Sequence, residues 1–264
     1  MKVSVNIITR NRPTLLKRAI KSALNQAFDD YEIVVVDNSG TDTVSRVVKH
    51  FDSSKIRTVP FYTESRGLTQ ARNKGLEVSR GEYIAVLDDD DVFIDNSKLA
   101  QQVGFLDYAK DYVLVGTHIN VVNPNNELLG VKNYAGTDSE IREALLISNQ
   151  FCHSSTMFKK KDAFKVGGYK AVEGMWNTNE YRLWLELGLR GGMFNLPITS
   201  VDYTYWANNY SFRHRAKLYW HDFAMINEFK NHYPNYSDAV MRYLLTYPTR
   251  YLLRMKWWQK IDHN

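Results

Sequence analysis

The chain has 264 residues, 44% hydrophobic and 24% charged, the proportions of a globular protein large enough for one sizeable core. Its net charge of +5 is not spread evenly, because residues 240–261 hold Arg242, Arg250, Arg254, Lys256 and Lys260 with no acid. The remainder is close to neutral, which argues against a nucleic-acid-binding face across the whole domain.

The first hundred residues alternate strand-like and helix-like runs. Val3 to Ile8 is a short apolar strand, broken at Asn11-Arg12-Pro13. Leu15, Leu16, Ala19, Ile20, Ala23 and Leu24 then recur at helical spacing, with Pro13 suited to the first turn. Ile33 to Val36 is a second strand of β-branched residues, as expected where both faces are covered. Ser39-Gly40-Thr41-Asp42 is a turn, and Val44, Val47, Val48 and Phe51 mark a second helix. Lys55 to Tyr62 reads as a strand, Gly67 to Ser79 as a helix, and Tyr83 to Leu87 as a fourth strand running into Asp88-Asp89-Asp90-Asp91. Such alternation specifies a mostly parallel, Rossmann-like α/β sheet flanked by helices. Ligands of such sheets bind beyond the carboxyl ends of the strands, where Thr9-Arg10-Asn11, Asp37-Asn38 and the four aspartates all stand.

Beyond residue 110 the pattern predicts a strand over Tyr112 to Val122, a turn at Asn123 to Asn126 and a return strand over Leu128 to Lys132. Residues 138–147 and 178–190 read as helices, and the last fifty residues as mostly helical with breaks at Pro234 and Pro248. This divides the chain into a binding half at 1–118, a smaller mixed half at 119–212 and a helical, basic and aromatic extension at 213–264. The single cysteine, Cys152, excludes an internal disulfide or a multi-cysteine zinc site and suits a cytoplasmic protein. Neither a membrane-spanning run nor a signal peptide is expected.

Four consecutive aspartates are more than a turn or helix cap needs, and like charges in a row repel unless a cation is near. Hard ions such as Mg2+ or Mn2+ take one or two carboxylates plus the phosphates of a substrate. A solvated acidic turn is the plainer alternative.

Four blocks together resemble the family 2 glycosyltransferases of GT-A fold. They are residues 3–13, Tyr31 to Ser39, Gly67 to Gly75 with Arg72, and Gly81 to Asp91. The resemblance implies an inverting transferase that uses a nucleoside-diphosphate sugar, with a UDP-sugar favoured and Mn2+ or Mg2+ as cofactor. By the same resemblance Thr9, Arg10, Asn11, Asp37, Asn38, Arg72, Asp88 and Asp89 hold the nucleotide, and Asp90 with Asp88 holds the metal. Many relatives have Asp where this chain has Asn38.

The leaving diphosphate needs its growing charge neutralised, and the attacking hydroxyl needs a base within about 3 Å. Glu180, in Asn179-Glu180-Tyr181-Arg182-Leu183-Trp184, falls on the aspartate that acts as base in the resembling block, one methylene longer. His153, Ser154, Trp184, Arg213 and His214 are candidate contacts to the acceptor or diphosphate, although His153 reads equally well as a structural residue. Tyr205-Trp206-Ala207-Asn208 departs from the Arg-x-His of many relatives.

The segment 240–261 mixes cations with Leu, Tyr and Trp, which suits either a peripheral contact with the cytoplasmic face of a membrane or packing on the core. A membrane position fits a glycan or lipid-linked acceptor in surface-polysaccharide synthesis. The competing reading is a catalytically degenerate scaffold that binds membrane or a partner. Its support is Asn38, Asn208 and the Glu at 180.

Overall fold

The computed structural model describes residues 1–51, 53–62, 67–171, 180–206 and 215–252. Strands β1 (Val3–Thr9), β2 (Tyr31–Asp37), β3 (Ile56–Pro60) and β4 (Tyr83–Val86) lie parallel in the order β3-β2-β1-β4. They are connected through helices α1 (Pro13–Leu24), α2 (Thr43–Val48) and α3 (Leu68–Val78). The same sheet continues into a mixed half. There β8 (Met157–Lys159) runs antiparallel between β4 and β6 (Tyr112–Val122), and β9 (Gly192–Thr204) runs parallel to β6. The short β5 (Val92–Phe93) closes one edge against β9, and β7 (Leu128–Lys132) returns as a hairpin on β6.

All seven residues of β2 are buried, and burial on both faces follows from having helices above and below: Ile33 and Val35 pack with α1, Val34 and Val36 with Ala71 of α3. Leu16, Ala19, Ile20 and Ala23 of the expected stripe of α1 are fully buried, with Leu15 and Leu24 half-buried at its margins. Each large side chain so buried contributes about 1.5–3 kcal/mol. A second core gathers around Trp184, where α5 (Asp138–Leu145), α7 (Glu180–Gly188), α8 (Arg215–Phe229) and α9 (Tyr236–Leu252) meet β6 and β8. Helices α4 (Lys98–Tyr108) and α6 (Lys160–Lys165), with strands β8 and β9, are additions to the expected elements.

Pro234 separates α8 from α9, but the break expected at Pro248 is absent: α9 continues through it to Leu252. A proline forfeits one backbone hydrogen bond and bends a helix, and the turns already formed ahead of it carry the helix past that loss.

Register places the site. Thr9 pairs with Asp37 and Asn6 with Val86, so the chain leaving β4 comes level with Thr9 three residues later, at Asp89. The order β3-β2-β1-β4 reverses between β1 and β4, which opens a crevice at their carboxyl ends.

Candidate active site

The four aspartates separate as soon as their side chains are followed. Asp88 accepts from the guanidinium of Arg72 at 3.2 Å and lies 3.0 Å from Nδ1 of His153. His153 Nε2 is 3.0 Å from the Tyr169 hydroxyl, and Nδ1 also lies 3.1 Å from Nη2 of Arg72, so the ring joins Asp88, Arg72 and Tyr169 in one cluster. Asp89 accepts from the Thr9 hydroxyl at 2.7 Å, as the register requires, and from Arg12 at 3.1 Å. Arg12 also reaches Asp90 at 3.0 Å. Asp91 turns inward, accepting from the Ser154 hydroxyl at 2.5 Å and the Thr204 backbone N–H at 2.8 Å.

Three of the four carboxylates pay for burial with their acidity. Burial, reinforced by neighbouring carboxylates, pushes Asp89 up to about 6 against the pull of Thr9 and Arg12. Burial and then the charge of Asp88 raise Asp90, and burial raises Asp91 well above the carboxylate range. Asp88 is the exception: burial opposes its charge, but His153 and Arg72 hold it well below its ordinary value.

This donor set fits a hard divalent cation. It offers carboxylate oxygens only, and the charge of Asp88 raises the cost of ionising Asp90, a strain that an added positive charge relieves. Among the described residues no group of three or more His, Cys, Asp or Glu side chains forms a ready cage. A cation here would therefore complete its shell with phosphate oxygens or water.

A cavity of about 670 Å³ lies over these groups. Thr9, Arg10, Asn38, Arg72, Asp88, Asp89, Asp90, His153 and Glu180 line it together, although they come from six separate stretches of chain. Arg72 is the link across it, paired with Asp88 on one side and, at 3.2 Å, with Glu180 on the other. Asn38 is 4% exposed, and its Oδ1 has no hydrogen-bond partner among the described residues.

The other expected site residues are not on this wall. Asp37 caps its own turn by accepting from the Ser39 N–H at 2.8 Å, and Asn11 is an exposed turn residue with φ 55°. Ser154 is fully buried as the partner of Asp91. Trp184, read as a candidate acceptor contact, is instead wholly buried against Phe151, Phe158 and His153, because the Leu183, Trp184 and Leu187 side of α7 faces the second core. Arg213 and His214 lie outside the described residues.

Sequence reasoning passed over Arg12, which was visible only as part of a chain break, and Tyr169, whose approach depends on two left-handed glycines, Gly167 and Gly168. It also gave no role to Tyr134, Tyr203 and Trp206, which add an aromatic wall to the cavity.

The model of Glycosyl transferase family 2 matches residues 4–168. The chain belongs to that family. It is 30% identical over 170 residues to the O-antigen biosynthesis glycosyltransferase WbnJ of Escherichia coli, an overlap that spans 64% of this chain and 65% of that relative. Among solved structures, residues 1–349 of TarS from S. aureus share 17% identity at a TM-score of 0.69, covering 92% of this chain and 69% of that one. The same TarS segment in complex with UDP-GlcNAc gives a TM-score of 0.66. The mannosyltransferase PcManGT of Pyrobaculum calidifontis, in complex with GDP-Man and Mn2+, gives 0.64 at 18% identity over 87% of this chain and 64% of that one. At these identities the three structures speak for the fold, which is the α/β, GT-A type expected, with its parallel part on one side and a mixed region on the other.

Proposed function

We propose that this protein transfers a sugar from a nucleoside diphosphate to a hydroxyl of a glycan or lipid-linked acceptor, with inversion, in surface-polysaccharide or O-antigen synthesis. The observation that carries the reading is Arg72, a buried guanidinium that ties the aspartate turn to Glu180 across one cavity. Thr9, Arg10 and Asn38 take the nucleoside end, where the unpartnered Oδ1 of Asn38 offers an acceptor to a base N–H. Asp90 and Asp88 hold Mg2+ or Mn2+, which when bound supplies the positive charge that a departing diphosphate requires. Glu180, oriented through one oxygen by Arg72, takes the proton of the acceptor hydroxyl.

Complexes of TarS with UDP-GlcNAc and of PcManGT with GDP-Man and Mn2+ support a nucleotide-sugar donor and a divalent cation, and a UDP-sugar is the favoured form. Assembly of the charged groups around one cavity counts against the degenerate scaffold. Among the described residues no helix is long and apolar enough to cross a membrane. A peripheral contact through 240–261 suits the exposed Met241 and Leu244 of α9, with Arg242 between them.

The test follows UDP release from a panel of UDP-sugars with free and lipid-linked glycan acceptors, alongside calorimetric binding of UDP. Glu180→Gln should retain Mn2+-dependent UDP binding while turnover falls about 10²–10⁴-fold. Asp90→Ala should lose the metal-dependent binding itself. Normal turnover by the first variant would refute the base, and full activity in chelator would refute the metal.

A further inference from the structure

Arg12 has no part in the chemistry above, yet it holds the central position among the charges. The left-handed backbone of Asn11, φ 55°, turns the chain between β1 and α1, and the Arg12 side chain folds back over the end of β4. A single nitrogen, Nη1, donates to Asp89 Oδ1 at 3.1 Å and to Asp90 Oδ2 at 3.0 Å. The Arg12 side chain is 52% exposed, while those of Asp89 and Asp90 are 8% and 20% exposed. A positive charge thus reaches inward from the cavity wall and bridges two mostly buried carboxylates, one of them the proposed metal ligand Asp90.

The geometry points to Arg12 as a resident counter-ion that Asp90 exchanges for the divalent metal when the donor arrives. This inference rests on the reading of Asp90 as a metal ligand. Before exchange, Arg12 offsets the repulsion among Asp88, Asp89 and Asp90. A metal that takes the position of Nη1 at Oδ2 of Asp90 displaces the guanidinium, so metal binding alone carries the cost of breaking that ion pair. A diphosphate entering the same cavity offers the released guanidinium new acceptors and offsets that loss. Metal and nucleotide therefore bind cooperatively through Arg12, and each raises the affinity for the other by the same factor.

Mn2+ binding, read from the loss of the free-ion electron paramagnetic resonance signal, tests this without turnover. The wild type, Arg12→Gln and Lys132→Gln are titrated with Mn2+ alone and with Mn2+ in saturating UDP. Lys132 lines the same cavity and pairs with no aspartate among the described residues, so its variant reports the effect of removing nearby charge in general. Arg12→Gln should bind Mn2+ alone about fivefold or more tightly than wild type, and the gain in Mn2+ affinity brought by UDP should shrink correspondingly. Lys132→Gln should stay close to wild type in both. Equal Mn2+ affinity in wild type and Arg12→Gln, or an equal gain from both substitutions, would overturn the exchange and leave the metal assignment standing. No Mn2+ binding by any of the three, with or without UDP, would overturn the metal assignment and this inference together. Arg12 is a half-exposed turn residue, and matching thermal melts of the variants establish that the fold is retained.

Discussion

Asp89 carries a charge that its surroundings oppose, and the consequence is measurable as stability. Burial pushes its pKa from 3.8 to about 6 in the metal-free protein, the Thr9 hydroxyl and Arg12 notwithstanding. A carboxyl with a raised folded pKa keeps its proton more tightly in the folded chain than in the unfolded one. Its stabilising contribution is therefore complete only well below about pH 4 and is lost as the pH rises through about 6. A rise of about two pH units, at about 1.4 kcal/mol each, makes that loss about 3 kcal/mol. Asp89→Asn keeps an oxygen that can accept from Thr9 or Arg12 but does not titrate. Urea unfolding of both proteins in chelator at pH 4 and pH 7 should show the variant gaining about 2 kcal/mol on wild type between the two, since part of the loss has already occurred by pH 4. Carboxyls remote from Asp89 titrate in both proteins and cancel. A difference that stays constant across this range would refute the claim that Asp89 is held against its charge.

Two further outcomes follow from other contacts. Ser154→Ala removes the hydroxyl that donates to the buried Asp91 and accepts from the Asp88 N–H at 3.0 Å, so stability should fall by about 3 kcal/mol and Tm by about 6–12 °C. An unchanged melt would mean that Asp91 finds its support elsewhere. Met241→Ser combined with Leu244→Ser removes exposed apolar side chains from α9 and should weaken co-sedimentation with phosphatidylglycerol vesicles without lowering Tm. Unaltered sedimentation would reduce this part of α9 to a packing element.

The parallel half of the fold was legible because β1, β2 and β4 are buried on both faces and α1 on one. Ile33 to Val36 and the stripe from Leu16 to Ala23 each carry a single period that packing does not contradict. Helix α4 was not: Leu99, Val103 and Leu106 form its buried stripe, but polar residues share that inward face and break the pattern. Lys98 and Gln102 are both fully buried, with Lys98 Nζ donating to Gln102 Oε1 at 2.7 Å and resting 4.4 Å from the Phe93 ring, and burial pushes that lysine down to about 7. Hydrophobic periodicity counts such residues as surface. Strand β9 was hidden by Pro197: the pairing passes from Leu196 opposite Thr117 to Thr199 opposite His118, so a bulge absorbs the residue that cannot donate.

The aspartate run shows the same limit at the site. By charge alone four adjacent carboxylates are equal candidates for one cation, and only the resemblance singles out Asp90 and Asp88. In the fold they are divided among partners that lie far along the chain. Asp88 goes to Arg72 and His153, Asp89 to Thr9 and Arg12, and Asp91 to Ser154 and Thr204, between 16 and 113 residues away. The Asp90 carboxylate alone has a half-exposed guanidinium as its only side-chain partner among the described residues, and a partner held from the solvent side is the one an entering cation can displace. On the proposed metal assignment, selection among the four depends on which carboxylate is left with a removable counter-ion, a property of the assembled β1, β4 and β8 ends.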